Sequence, residues 1–248
     1  MDDRLRSLLV ACGAGLSGIA VALALTLLAG LSLGTAGVSL SPLVAIGLTL
    51  VLTQGISFGG TALAYLRYRG LSLRDVGVRV PGIREVGIVV AGVVGAFVYL
   101  YAASFLLQYL GAQTAENQVV QLGIENPEVL LWLIPAAYVF IGPGEELLFR
   151  GVVQGRLRET FSAPVAIVLA SVIFASIHFM ALSGSASTTA KLTTIAVLLG
   201  PSLILGTTYE LSENIVVPAV IHGTYDAVLF AALYAAVVTG QVSAVLPA

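Results

Sequence analysis

Charged residues and cysteine are scarce in this sequence, and each shortage excludes a class of protein. Aspartate, glutamate, lysine and arginine together make up 10% of the 248 residues, whereas soluble domains carry about 25%. Hydrophobic residues reach 58% and the mean hydropathy is +1.02, so the composition predicts a membrane protein. Cys12 is the only cysteine, which excludes an intrachain disulfide and a cysteine-ligated metal site.

Several sequence patterns are also missing. Strands of a transmembrane β-barrel alternate apolar and polar residues over about ten positions, but the apolar runs here are continuous. No His-Glu-x-x-His occurs, which excludes an ordinary zincin, and no Gly-x-Ser-x-Gly elbow supports serine-hydrolase chemistry. No internal repeat marks a transporter built from two related halves. The first apolar run is too long for a signal peptide, and no cleavable signal is expected.

Seven apolar segments are present, and each has about the 20 residues that a helix needs to cross a bilayer. They predict an all-α polytopic transmembrane bundle of about seven spans (six to eight). We expect one membrane domain over residues 1–248, with its polar motifs at about 129–240. Because Pro218 and Gly223 lie in the last segment, one helix and two shorter helices are both open. The segments lie near 8–33, 42–66, 86–110, 129–149, 163–182, 190–209 and 214–240.

The basic residues predict an orientation in the membrane. Of the eleven lysine and arginine residues, ten fall on one side of a seven-span bundle, and only Lys191 falls on the other. Basic residues are in excess on the cytoplasmic side, so the N-terminus is predicted to be cytoplasmic and the C-terminus external. The ten residues are Arg4, Arg6, Arg67, Arg69, Arg74, Arg79, Arg84, Arg150, Arg156 and Arg158.

Two adjacent glutamates end the fourth apolar segment. An acidic residue near the centre of a transmembrane helix costs roughly 2.5–3.5 kcal/mol. Arg150 follows Glu146 by four residues, which places both side chains on one helix face and in reach of an ion pair. Glu145 lies about 100° round the helix and lacks that partner. Gly142-Pro143-Gly144 precedes the glutamates and predicts irregular backbone beside a polar cavity.

The only two histidines, His178 and His222, also lie in predicted spans. Asp226 follows His222 by four residues, so the two share a helix face. At a rise of 1.5 Å per residue, Glu145, His178 and His222 lie roughly 16, 22 and 12 Å from the predicted cytoplasmic ends of their helices. These overlapping depths predict one polar site, because such groups face one another rather than lipid.

Carboxylates and imidazoles at one depth support two kinds of hydrolysis. A glutamate can take a proton from water while histidines hold the water or stabilise an oxyanion. Alternatively, histidines and carboxylates can bind a divalent metal whose water becomes hydroxide near neutral pH. Two other functions stay open: a proton-coupled transporter with Glu145, His178 and Asp226 as a relay, and a catalytically silent membrane scaffold.

Three short motifs in this region resemble those of the CPBP intramembrane proteases. This family includes CAAX prenyl endopeptidases, bacteriocin-immunity (Abi) proteins and the related Rce1-type CAAX proteases. The order of the motifs and the spacing inside each agree. The resemblance covers about residues 140–230, whereas the first three spans agree only in hydrophobicity. The motifs are Glu145-Glu146-x-x-x-Arg150, Phe174-x-x-x-His178 and His222-x-x-x-Asp226.

The resemblance implies an intramembrane endopeptidase that hydrolyses a peptide bond of a membrane-associated substrate, with prenylated CAAX-type proteins as one such class. From the composition, the basic residues and the depth of the polar groups, we also expect a cell-membrane location, a site that opens towards the cytoplasm, and no nucleic-acid partner. The resemblance also implies the roles of the site residues. Glu145 activates water with His178 as its partner, Glu146 and Arg150 form a supporting pair, and His222 with Asp226 completes the site.

Whether a metal is expected depends on the chemistry of Asp226. Many members of the family carry asparagine where this chain has aspartate. An ionised carboxylate is a good metal ligand or histidine orienter and a poor oxyanion donor. The sequence therefore slightly favours zinc or another divalent cation over a metal-free glutamate mechanism. The expected ligands are Glu145, His178, His222 and Asp226.

Overall fold

The computed structural model describes residues 2–182 and 184–242, which form eight helices and no strand within those ranges. All of them except α4 are long and apolar enough to cross a membrane, which confirms the predicted seven-span all-α bundle. The helices are α1 Asp3–Thr35, α2 Pro42–Tyr68, α3 Ile83–Leu110, α4 Gln118–Glu125, α5 Pro127–Arg158, α6 Ala163–Ala181, α7 Thr188–Ser212 and α8 Val216–Val238.

The last apolar segment forms one helix, which settles the question that its sequence left open. Pro218 lies in the first turn of α8, where a backbone N–H has no partner inside the helix and its absence is tolerated. Gly223 does not interrupt the helix either. The loop between the third and fourth spans contains the short helix α4, which begins after Asn117. The side chain of Asn117 accepts a hydrogen bond from the Val119 N–H at 2.9 Å and caps this helix.

Two spans contain stretches of π-helix, a conformation that is rare and is frequent at functional sites. In α2 the stretch is Val51–Gly59, and in α5 there are two, Ala137–Ile141 and Leu147–Gln154. Pro135 and Pro143 lie just before and just after the first stretch in α5. Each proline removes a backbone donor from the regular α-helical pattern, which favours a local change of hydrogen bonding there.

Helix α5 lies at the centre of the bundle. Its first half packs against α8, and its second half packs against α1, α2 and α6. In the most apolar part of α5 and of α8, 39% of the residues are buried, against 11% in α2 and in α3. Polar groups on α5 and α8 are therefore the best shielded from lipid. The largest buried cluster centres on Leu148, Phe149, Val152, Val153 and Leu157 of α5.

Ion pairs join the arginine-rich ends of several helices. Arg158 at the end of α5 binds Glu210 of α7 at 2.9 Å. Arg79, in the linker before α3, binds Glu85 of α3 and donates to the Ser212 carbonyl at the end of α7. The ends of α3, α5 and α7 thus share one face of the bundle, in agreement with the distribution of basic residues. Which side of a membrane this face occupies stays a prediction.

Candidate active site

The two glutamates lie in one turn of regular α-helix, Gly142–Glu146, between the π-helical stretches of α5. The predicted irregular backbone is therefore found on either side of Gly142-Pro143-Gly144 and not within it. A Cβ atom at Gly144 would lie 2.3 Å from the carbonyl oxygen of Gln54 in α2, well inside van der Waals contact. Gly144 thus allows the backbone of α2 to approach α5 directly beside Glu145.

Replacing Gly144 by alanine is expected to separate α2 from α5 and to destabilise the bundle. The added methyl group meets backbone atoms, which cannot rotate away, and overpacking of this kind costs about 1–3 kcal/mol. The measurement is the Tm of purified protein in one detergent. Gly13→Ala in α1 is the matched control, because no described atom apart from the neighbouring backbone of α1 lies within 4 Å of its added Cβ. Equal Tm values for Gly144→Ala and wild type would contradict the close approach.

The innermost part of the site is the predicted ion pair between Glu146 and Arg150. The Arg150 Nε donates to Glu146 Oε2 at 3.0 Å, and both side chains are fully buried. Arg150 Nη2 donates to the Ser202 hydroxyl of α7 at 3.0 Å, and the guanidinium carbon lies 5.0 Å from the centre of the Phe174 ring. The two opposite charges thus neutralise each other in a buried position, where either charge alone would strongly destabilise the protein.

Glu146 also fixes the orientation of His222 across the helix interface. Its second oxygen, Oε1, lies 2.8 Å from His222 Nδ1. Because the Glu146 carboxylate paired with Arg150 can only accept, Nδ1 carries a hydrogen and donates it. The other ring nitrogen, Nε2, faces two carboxylates, with Asp226 Oδ2 at 3.5 Å and Glu145 Oε2 at 3.9 Å. The closest orienting contact of His222 is therefore with Glu146 and not with Asp226.

Glu145 has a different environment from that of its neighbour. Its Oε1 accepts a hydrogen bond from the Gln54 side-chain amide at 2.9 Å. Its Oε2 is buried and has no hydrogen-bond partner among the described residues. As the helical spacing predicts, Glu145 does not share the arginine of Glu146. A carboxylate oxygen with no bound donor has the capacity to take a proton from water.

His178 lies at the edge of this group. Its Nδ1 is 2.9 Å from the Phe174 carbonyl oxygen, and because a carbonyl only accepts, Nδ1 is the donor. Neutral His178 therefore presents an unprotonated Nε2. The ring lies 4.7 Å from the Phe174 ring, centre to centre. Within residues 2–182 and 184–242, no hydrogen bond or ion pair joins His178 to the other predicted site residues, although it interacts electrostatically with Asp226.

A catalytic metal ion needs about three protein side chains grouped around one point. Across the described residues, no three histidine, cysteine, aspartate or glutamate side chains are grouped so as to hold an ion. His222 Nδ1 is bound to Glu146 and His178 Nδ1 to a carbonyl oxygen, contacts that also occur at histidines that bind a metal through Nε2. The absence of such a group of three side chains among the described residues is therefore the observation that counts. In this arrangement the expected ligands do not fit a metal, and no step below is derived through one. Those ligands are Glu145, His178, His222 and Asp226.

The exposed fraction of the side chains increases from one end of the site to the other. The side chains of Glu146 and Arg150 are not exposed at all, whereas 7% of Glu145, 10% of His222 and 20% of Asp226 are exposed. Asp226 lies one turn further than His222 from the start of α8. The site is therefore closed on the side of Arg150 and most open at Asp226.

Two residues of the site fall outside the three motifs. Gln54 comes from α2 and Ser202 from α7, and they bind Glu145 and Arg150 respectively. Both are uncharged, so they do not stand out among the other amide and hydroxyl residues of the apolar segments. The one available signal is the general rule that polar groups in a transmembrane helix face the bundle interior.

Comparison with known proteins agrees with the motifs. A family model described as type II CAAX prenyl endopeptidase Rce1-like matches residues 127–228. The matched range runs from the start of α5 into α8 and includes every residue of the three motifs, but not α1–α3. No curated protein and no solved structure matches the chain. Over residues 127–228, therefore, this chain carries a domain of the Rce1-like type II CAAX prenyl endopeptidase family.

Proposed function

We propose that the protein is an intramembrane endopeptidase in which Glu145 is the general base. The observation that carries this proposal is that the buried Oε2 of Glu145 has no hydrogen-bond partner in the described part of the chain and lies 3.9 Å from His222 Nε2. This distance is too long for a direct hydrogen bond and short enough for one water to contact both atoms. The Rce1-like domain supports peptide hydrolysis as the reaction. Membrane-associated proteins with a prenylated CAAX terminus are the substrate class that the family suggests.

The proposed reaction uses the protein's own groups. Glu145 takes a proton from water as the water oxygen attacks the scissile carbonyl carbon, and it then passes this proton to the leaving amine nitrogen as the C–N bond breaks. His222 holds the water, since its Nδ1 is committed to Glu146 and its Nε2 faces Glu145. Because Nδ1 of His178 is held by the Phe174 carbonyl, a proton gained by the ring would lie on Nε2, from which it would be donated to the oxyanion. The pair of Glu146 and Arg150 keeps His222 in this orientation.

The test is cleavage of defined peptides by the purified protein in detergent or liposomes. The panel pairs each CAAX-type peptide with and without its prenyl group, and adds one transmembrane peptide of matched length. New peptide ends are identified by mass spectrometry. Cleavage by wild type and not by Glu145→Gln supports the proposal. If no peptide is cleaved while protons cross liposomes in a Glu145-dependent way, the transporter alternative replaces it.

Replacing Asp226 with asparagine distinguishes the two hydrolytic routes. Although the sequence slightly favours a metal, the donor arrangement favours the metal-free route. We therefore expect Asp226→Asn to keep activity within about tenfold of wild type, because an amide can donate to an oxyanion. A strong chelator should leave wild type unaffected. Loss of activity under both treatments, with zinc restoring the chelated wild type, would instead establish a metal.

We also propose a cell-membrane location with the arginine-rich face and the N-terminus in the cytoplasm, based on nine of the eleven basic residues. Arg150, which the sequence places at the same end, lies buried inside α5 and is not counted. In this orientation the closed side of the site, at Arg150, faces the cytoplasm. The more open side, at Asp226, lies deeper in the membrane. The predicted opening towards the cytoplasm stays a prediction, and the burial favours entry of substrate from the Asp226 side.

A further inference from the structure

Gln54 makes the hydrogen bond that orients Glu145. It lies in the π-helical stretch Val51–Gly59 of α2, outside the 127–228 range matched by the family model. Its Nε2 donates to Glu145 Oε1 at 2.9 Å. Among the described residues this is the only hydrogen bond to the Glu145 carboxylate, since Oε2 has none.

We propose that Gln54 is a positioning residue that holds Glu145 as the general base, an inference that rests on the proposed function. By binding Oε1, the amide sets the plane of the carboxylate and leaves Oε2 facing His222 Nε2. Without this contact the side chain could rotate about its last bond. A displacement of about 1 Å at a reacting group can slow a reaction by about 100-fold.

The chemistry of an amide suits this task better than that of a charged side chain. A cation at position 54 would neutralise the base, as Arg150 neutralises Glu146 at 3.0 Å. A carboxylate would repel it. A neutral amide donates one hydrogen bond and leaves the negative charge in place. The reverse orientation of the amide would set oxygen against oxygen, so the donor is assigned to the Glu145 side on chemical grounds.

The backbone of α2 is held where this contact needs it. The Gln54 carbonyl oxygen is so close to Gly144 that a Cβ there would lie at 2.3 Å. In the same π-helical stretch, the Ser57 hydroxyl donates to the Leu52 carbonyl at 2.6 Å. The backbone of Gln54 is therefore held close to α5, and this fixes the position from which its side chain reaches Glu145.

The first part of the test is kinetic. Gln54→Met keeps a side chain of similar length without a donor, and we expect its kcat to fall about 100-fold with KM unchanged. The fold decrease in kcat should be the same for every peptide that wild type cleaves, since Gln54 acts through Glu145. Thr53→Val is the matched control. The Thr53 hydroxyl donates to the Thr49 carbonyl of its own helix, and no contact of this hydroxyl with the site is found among the described residues, so kcat should not change.

The second part measures the contact without relying on activity. The Tm of wild type, Gln54→Met, Glu145→Leu and the double variant forms a thermodynamic cycle in one detergent. Each single change leaves a buried polar group unpaired. The fall in Tm of the double variant should therefore be smaller than the sum of the falls in Tm of the two single variants. Additive losses would show that the two side chains do not interact, and would overturn the inference.

The outcomes separate the two proposals. If wild type cleaves no peptide but the cycle is non-additive, the proposed endopeptidase fails while the contact stands without a catalytic role. If wild type cleaves and Gln54→Met keeps its kcat, the positioning role is wrong and the endopeptidase stands. An equal loss of kcat in Gln54→Met and Thr53→Val would also overturn the positioning role, because any disturbance of this part of α2 would then be enough to slow the reaction.

Discussion

Replacing Glu145 with glutamine is expected to abolish peptide cleavage and to leave the bundle folded. The amide cannot take a proton from water, and a positioned general base contributes about 10²–10⁴-fold to the rate. The substitution keeps the size of the side chain and an oxygen that can accept from Gln54, as Glu145 Oε1 does. The charge of Glu145 is not needed to neutralise Arg150, which pairs with Glu146. The measurements are the rate of appearance of new peptide ends and the Tm.

Glu146→Gln is the matched control, because it makes the same chemical change one residue further along the helix. It removes the charge that faces Arg150 at 3.0 Å and weakens the acceptor of His222 Nδ1 at 2.8 Å. Its main expected effect is a lower Tm, with activity lost only as far as folding is lost. Wild-type activity in Glu145→Gln would remove the general-base assignment. Full stability with no activity in Glu146→Gln would transfer the role to Glu146.

The fold could be predicted because membrane crossing imposes a length on each helix. Every predicted span overlaps an observed helix over most of its length, and α5 continues past the predicted segment as far as Arg158. Helix α4 was not predicted, because eight residues in a polar loop give no membrane signal. Nor could the π-helical stretches be predicted: π-helix has no characteristic residue pattern, and its hydrogen bonds extend the α-helical register by a single residue.

Depth predicts that Glu145 and His222 meet between two helices, and the structure brings them together, but the individual contacts could be predicted only within a helix. Four-residue spacing predicts the pair of Glu146 and Arg150, and the structure contains it. The same spacing places Asp226 beside His222, but their distance is 3.5 Å, and the closer contact of His222 is with Glu146 in α5. Which residues face each other across two helices depends on their rotation and relative height, which the spacing within one helix does not determine. For the same reason, the contact of Gln54 with Glu145 was not predicted.

Replacing Arg150 with methionine is expected to be the most destabilising single change in the site. Glu146 would stay fully buried, and within residues 2–182 and 184–242 only a protonated His222 could still pair with it. Removing one partner of a buried ion pair costs about 3–5 kcal/mol, because the remaining charge is left uncompensated. The hydroxyl of Ser202 would also lose its contact. The measurement is the Tm together with the yield of folded protein in one detergent.

Two further variants show whether the buried charge is the cause. Arg158→Met removes a partly exposed arginine that binds Glu210 at 2.9 Å, and such pairs contribute about 0–1 kcal/mol. The double variant Glu146→Gln, Arg150→Met removes both charges and should recover part of the stability lost in Arg150→Met alone, since replacing both members of a buried pair is often tolerated. If the double variant is no more stable than Arg150→Met, the loss arises from the volume and packing of the arginine side chain against Phe174 and not from the uncompensated charge of Glu146.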